Sequence, residues 1–173
     1  SAEFPTEEVQ RRVKAVLRER GMGGLVAIGG NGTLTGAHLL AKDRPCTIVG
    51  LPASIDNDVG HSGLAIGTDT AVNTIVEACD RISDTARAHR RAFLVEVMGR
   101  RCGFLAMRAG IAAEADAILY GENALGADAI VDKLRAVLRR AFAKGSVKKR
   151  VLIVKSEGLE ITTADLVRRL STH

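Results

Sequence analysis

The segment Leu25-Val26-Ala27-Ile28-Gly29-Gly30-Asn31-Gly32-Thr33 runs from an apolar stretch into a glycine turn, and a helical pattern from about Leu34 to Ala41 follows. Similar apolar runs recur at Thr47-Ile48-Val49-Gly50-Leu51, Phe93-Leu94-Val95-Glu96-Val97, Ala117-Ile118-Leu119-Tyr120 and Val151-Leu152-Ile153-Val154. They are near-continuous rather than alternating, which is the pattern of strands buried on both faces of a parallel sheet. Helical stretches separate them. Thr6 to Arg20 has Thr6 as N-cap, Glu7 and Glu8 in its first turn, and Gly21 as a stop. Residues 66–87 carry Ala71, Ile75, Ala78, Ile82 and Ala86 as an apolar stripe, and residues 101–114, 125–143 and 162–170 read as further helices. This alternation predicts an α/β fold with a doubly wound, mostly parallel sheet.

Length and composition narrow the function classes. A chain of 173 residues suits one domain or one lobe of a larger enzyme. Its 25 Lys and Arg against 20 Asp and Glu, a net charge of +5, favour anionic partners. Four Phe, one Tyr and no Trp leave little to stack on bases, so a phosphorylated metabolite is preferred to nucleic acid. Cys46, Cys79 and Cys102 are odd in number and widely spaced, as in a reducing, cytoplasmic compartment. No apolar run nears the roughly 20 residues that span a bilayer, and Ser1-Ala2-Glu3-Phe4-Pro5 has no signal-peptide layout.

Ligands of an open parallel sheet sit beyond the carboxyl ends of its strands. There the chain places Gly29 to Thr33, then Ser54-Ile55-Asp56-Asn57-Asp58, Met98-Gly99-Arg100-Arg101-Cys102-Gly103, and Ser156-Glu157-Gly158. The glycine turn, with a helix N-terminus behind it, suits a phosphate, although an ordinary strand-to-helix turn has the same composition. Gly30, Gly32 and Gly36 are only a weak dinucleotide signature. Asp56 and Asp58 can divide proton transfer and cation work between them, while a solvated Asx turn explains the same spacing. Arg100 can grip a phosphate in bidentate fashion or form a surface ion pair. The basic stretch Arg139, Arg140, Lys144, Lys148, Lys149, Arg150 reads as a cationic helix end and a solvated loop rather than a nucleic-acid site. His38, His61 and His173 lack ligand spacing, so no zinc site is expected, and Cys79 and Cys102 read as core or near-core thiols.

Taken together, Ile28 to Thr33, Gly50 to Asp58, Asp69-Thr70-Ala71 and Val95 to Gly103 resemble the GGDGS, PGTIDND and VEVMGRxCG blocks of the ATP-dependent 6-phosphofructokinase family, in order and at close to that spacing. The resemblance implies a three-layer αβα fold, here incomplete. Residues 1–173 would be a partial large, nucleotide-binding lobe, without the family's first strand and its smaller sugar-phosphate lobe. The implied reaction moves the ATP γ-phosphate to the 1-hydroxyl of fructose 6-phosphate, with Mg²⁺. Asp56 would be the base, Asp58 would help hold the Mg²⁺-linked phosphate, and Ser54 would bond the transferred group. Gly29, Gly30, Asn31, Gly32 and Thr33 would cradle the nucleotide. Met98, Gly99 and Arg100 would line the sugar-phosphate site, and Glu157 would meet sugar hydroxyls. Arg91 matches an arginine that reaches the 6-phosphate of a neighbouring subunit in a tetramer-type homo-oligomer. Gly32 and Ala53 stand where pyrophosphate-using relatives carry Asp and Lys, which implies ATP as donor.

Three departures accompany the likeness. Asn31 stands where the family has an Mg²⁺-associated aspartate, Glu3 where many bacterial relatives have an arginine, and Ser83 where an effector-site arginine is usual, with Arg81 retained. They leave open a catalytically weak or regulatory paralogue, and an inactive oligomerisation fragment. A nicotinamide-dinucleotide or lipid kinase sharing the glycine turn is disfavoured by the IDND and EVMGR blocks.

Overall fold

In a computed structural model, residues 6–43, 46–123, 125–147 and 150–171 are described; Glu3, Lys148, Lys149 and His173 lie outside them. The chain divides into two units, Ser1–Thr68 and Asp69–His173.

The first unit contains α1 (Glu7–Glu19), β1 (Gly24–Gly29), α2 (Asn31–Ala41) and β2 (Thr47–Pro52). Gly21, at φ 59, ends α1 as expected. Its amide donates to the Arg18 carbonyl at 3.0 Å and that of Met22 to Leu17 at 2.9 Å, a Schellman cap. Strands β1 and β2 are parallel, in register from Gly24↔Thr47 to Gly29↔Pro52. Helix α2 covers one face so closely that a Cβ on Gly50 would lie 2.9 Å from Leu34 Cδ2.

The opposite face departs from the expectation of strands buried on both sides. Val26 and Ile28 are each 57% exposed, and their register partners Val49 and Leu51 are 48% and 39% exposed. Period-2 geometry places all four on one face, and no described residue of this unit covers it.

The second unit contains α3 (Thr68–His89, starting at the boundary), β3 (Ala92–Val97), α4 (Phe104–Ala112), β4 (Ala117–Leu119), α5 (Ala127–Phe142), β5 (Val151–Ser156) and α6 (Thr163–Ser171). Its strands pair in parallel in the order β3-β5-β4. Tyr120 falls just outside β4. The last strand in sequence is central, and all six of its residues are buried. Val151 and Ile153 pack with Ala117 and Leu119 against Ile130, Val131 and Leu134 of α5 and Leu166 of α6. Gly110 of α4 meets Ile118 from the other side, where an added Cβ would lie 2.8 Å away. The unit is thus an α/β/α sandwich, and each fully buried Leu such as Leu134 contributes about 1.5–3 kcal/mol.

Two further expectations are corrected here. The buried side of α3 runs through Cys79, Ser83 and Ala86, while Ala78 is exposed. Burial pushes the Cys79 thiol pKa up. Arg150 is not part of a solvated loop: its guanidinium donates to Ser83 Oγ and, at 3.4 Å, to the Ala113 carbonyl. Ser83 is tolerated in the interior because that bond satisfies it.

Candidate active site

The candidate residues of the first unit gather where β1 and β2 end. The Ala53 amide donates to the Gly29 carbonyl at 2.9 Å, so the two strand ends leave side by side. Helix α2 begins at Asn31, three residues before the expected start, because the Leu34 amide already donates to the Gly30 carbonyl at 3.0 Å. Asn31, Gly32 and Thr33 therefore form the first helical turn rather than a loop, a position whose amides have no partner within the helix. Gly29 has no room for a side chain, since a Cβ there would collide with that of Thr33, whereas one on Gly32 would meet nothing within 4 Å.

The Ser54–Asp58 segment folds against this turn. A Cβ on Gly30 would lie 3.5 Å from Ser54 Cβ. Asn31 Nδ2 donates to Asp58 Oδ2 at 2.7 Å, and Ser54 Oγ donates to Asp58 Oδ1 at 3.3 Å. Asn57 takes a left-handed conformation, φ 52, which Asn accepts more readily than most residues. Its Oδ1 receives the Ala65 amide at 2.8 Å, and buried Thr68 donates to the Ser54 carbonyl at 3.1 Å. Asp56 sits half-buried on the turn between these anchors.

The candidate residues of the second unit lie at the carboxyl ends of β3, β4 and β5. Met98 is 57% exposed, and Gly99, at φ 130, reverses the chain. Glu157 donates its amide to the Val97 carbonyl at 2.8 Å and accepts the Gly99 amide on Oε1 at 3.3 Å. Glu122 Oε1 accepts the Gly103 amide at 2.6 Å. A cavity of about 250 Å³ opens there, lined by Gly99, Arg100, Arg101, Cys102, Gly121, Glu122 and Gly158. Neither Arg100 nor Arg101 is hydrogen-bonded or ion-paired to another described residue. Two cationic side chains at a glycine-lined hollow suit a phosphate.

One strand layer below, Glu96 and Lys155 face each other across the β3–β5 register. Lys155 is 1% exposed, and its ammonium donates to Glu96 Oε2 at 2.8 Å and to the Ser156 carbonyl at 3.2 Å. Thr163, at the start of α6, donates to the same carboxylate. The Lys155 and Thr163 hydrogen bonds hold the Glu96 pKa below the usual glutamate range.

The sequence model of the phosphofructokinase family matches residues 1–173. The chain belongs to that family. An ATP-dependent 6-phosphofructokinase of Thermotoga neapolitana is 42% identical over 156 residues, 90% of this chain and 47% of the relative. ATP-dependent 6-phosphofructokinase 1 of Thermus thermophilus is 44% identical over 158 residues, 91% of this chain and 47% of the relative. The chain thus spans about half the length of the curated relatives it matches. Among solved structures, phosphofructokinase from Saccharomyces cerevisiae aligns with TM-score 0.87 and 36% identity, over 98% of this chain and 26% of the other. A pyrophosphate-dependent phosphofructokinase of Marinobacter aquaeolei shares the fold, at TM-score 0.80 and 20% identity, over 95% of this chain and 45% of the other.

Several expected site residues meet within one unit: Gly29 to Thr33 with Ser54 and Asp58 in the first, and Gly99 with Glu157 in the second. Arg91 does not join them. It precedes β3 at its amino end, about 20 Å of strand from Met98. The expected Mg²⁺ residues Asn31 and Asp58 bond to each other. Asp58 has both oxygens engaged, Asn31 presents an N–H donor, and no cluster of three or more His, Cys, Asp or Glu forms among the described residues. Sequence reasoning missed Asn57, Thr68 and Glu122 as anchors. Their partners lie 8, 14 and 19 residues away, beyond the reach of periodicity.

Proposed function

We propose that the chain is part of an ATP-dependent 6-phosphofructokinase, converting fructose 6-phosphate to fructose 1,6-bisphosphate. The observation that carries this reading is the bonding of Asn31 and Ser54 to Asp58, which joins the glycine turn to the carboxylate loop. The 42–44% identity to ATP-dependent relatives supports the same donor. Asp56 takes the proton of the sugar 1-hydroxyl as its oxygen bonds the γ-phosphorus. The bond from that phosphorus to the β,γ-bridging oxygen breaks, and ADP leaves. Ser54 bonds the transferred group, and the first-turn amides of α2 face the nucleotide phosphates. Met98, Gly99, Arg100 and Glu157 hold the sugar phosphate, and Arg91 serves a neighbouring subunit of a homo-oligomer. Mg²⁺ arrives with ATP as part of the substrate, and no step is assigned to an ion held by the chain. Such transfer depends on positioning and charge more than on covalent help. We place the enzyme in the cytoplasm; no helix among the described residues is long and apolar enough to cross a membrane.

The test is a coupled assay on the full-length protein with ATP and with pyrophosphate. Activity with ATP that falls roughly 10²–10⁴-fold in Asp56→Ala supports the reading, and full activity in that variant sinks it. The Asn31 amide favours a second reading, a weak or regulatory copy. If Asn31→Asp raises kcat substantially, the second reading replaces the first.

A further inference from the structure

Gly99 is held at both of its peptide groups by the last residue of β5 and the first residue after it. Its N–H goes to the Glu157 carboxylate at 3.3 Å, and its carbonyl accepts the hydroxyl of Ser156. Ser156 is 2% exposed and ends the central strand, in register with Val97. Alternation along β5 sends Lys155 toward α6 and Ser156 to the opposite face, under the turn that leads into α4. The contact is tight on Gly158 as well. A Cβ added there would collide with the Arg100 carbonyl, so the Arg100 backbone lies directly on Gly158.

A fixed peptide matters at this position. Gly99 has φ 130, a region in which glycine moves more freely than any other residue. Left unpinned, the Gly99–Arg100 peptide could rotate, carrying the Arg100 Cα–Cβ bond and the Arg100 N–H with it. The Arg100 side chain is exposed, and among the described residues nothing pairs with its far end to fix its aim. Orientation must therefore come from the backbone.

We infer that Ser156 is a positioning residue: its hydroxyl orients the Gly99–Arg100 peptide so that Arg100 meets the phosphate of a sugar phosphomonoester, and Gly158 leaves the space for that approach. The assignment rests on the proposed function for its ligand and on the Ser156–Gly99 bond for its geometry. Removing the hydroxyl leaves the Gly99 carbonyl without its partner and releases the peptide.

The experiment uses the full-length protein, with fructose 6-phosphate and ATP as the varied substrates. Ser156→Ala, and the near-isosteric weak donor Ser156→Cys, should raise the KM for fructose 6-phosphate roughly three- to tenfold. The KM for ATP and kcat should stay within about twofold. Ser156→Thr, which keeps the hydroxyl, should restore the wild-type KM. Both Ser156→Ala and Ser156→Cys leaving that KM unchanged overturns the inference. So does a uniform fall of every parameter with melting temperature that Ser156→Thr fails to reverse. Wild-type protein that does not bind fructose 6-phosphate overturns the functional reading and this assignment together. Active wild type with indifferent Ser156 variants overturns this assignment alone.

Discussion

The Asn31 side-chain amide donates to Asp58 Oδ2 at 2.7 Å, linking the first turn of α2 directly to the carboxylate loop. Replacing the amide by a carboxylate would bring two negative charges into that contact. Even at the high effective dielectric near a surface, charges about 4 Å apart repel by about 4 kcal/mol before salt screening. Asn31→Asp should therefore part the two loops at low salt and create a divalent-cation site. Mn²⁺ titration followed by EPR should show no tight site in the nucleotide-free wild type and one in the variant. Tight Mn²⁺ binding by wild type, lost in Asp58→Asn, would contradict the account.

The Glu96–Lys155–Thr163 group predicts opposite effects from its two charged members. Glu96→Ala strands a buried ammonium and should destabilise the full-length protein by about 3 kcal/mol, the low end for a broken buried pair. The low end applies because the Glu96 side chain is 45% exposed and water offsets part of the loss. Lys155→Met removes the charge while roughly keeping volume, and should be neutral or stabilising. Guanidinium melts of both variants check this, and a large loss in Lys155→Met would refute it.

The same group gives stability a pH dependence. The Glu96 carboxylate has a folded pKa below its unfolded value, through the Lys155 and then the Thr163 hydrogen bond. Its contribution is present above the unfolded pKa and is lost as pH falls through the folded one. Wild type should therefore lose more stability than Glu96→Gln on acidification below about pH 4. Acid melts run in parallel check this, and equal losses in the two proteins would show the idea to be wrong.

The bare face of the β1–β2 pair predicts self-association. Val26, Ile28, Val49 and Leu51 form an exposed aliphatic patch. When expressed alone, the 173-residue chain should bind a hydrophobic dye and sediment as aggregates. Val26→Lys with Val49→Lys should reduce both. A monodisperse wild-type chain with no dye binding would count against this view.

Gly32 separates stability from donor choice. A Cβ there meets nothing within 4 Å, and an acid in the first turn of a helix is favourable. Gly32→Asp should therefore leave the melting temperature within a few degrees. If the phosphates of ATP face that turn, the added charge should raise the KM for ATP at least roughly tenfold, a loss of about 1.4 kcal/mol. An unchanged KM would move the nucleotide away from α2.

The elements legible in the sequence are those whose cause is local. Gly21 stops α1 because its left-handed φ serves a cap within a few residues, and the apolar runs mark all five strands. The start of α2 is hidden because Asn31, Gly32 and Thr33 are poor helix formers, although a first turn needs little propensity when the Gly30 carbonyl already accepts Leu34. Within the expected α3 stripe Ala86 is buried and Ala71, Ile75 and Ile82 are half-buried, but Cys79 takes the place of Ala78, because both are small and apolar and periodicity alone cannot choose between them.

The inventory of chemistry, with its glycine turn, IDND loop and EVMGR turn, is determined by sequence alone, as are the parallel strand class and the family. Tertiary structure decided which of these groups meet. It put the last strand at the centre of β3-β5-β4, left one face of β1–β2 bare, and held Arg91 away from Arg100. It also paired Asn31 with Asp58, Ser156 with Gly99 and Lys155 with Glu96, across 27, 57 and 59 residues. Periodicity and capping act over a few residues, whereas these contacts depend on strand order and register, which only the packed chain specifies.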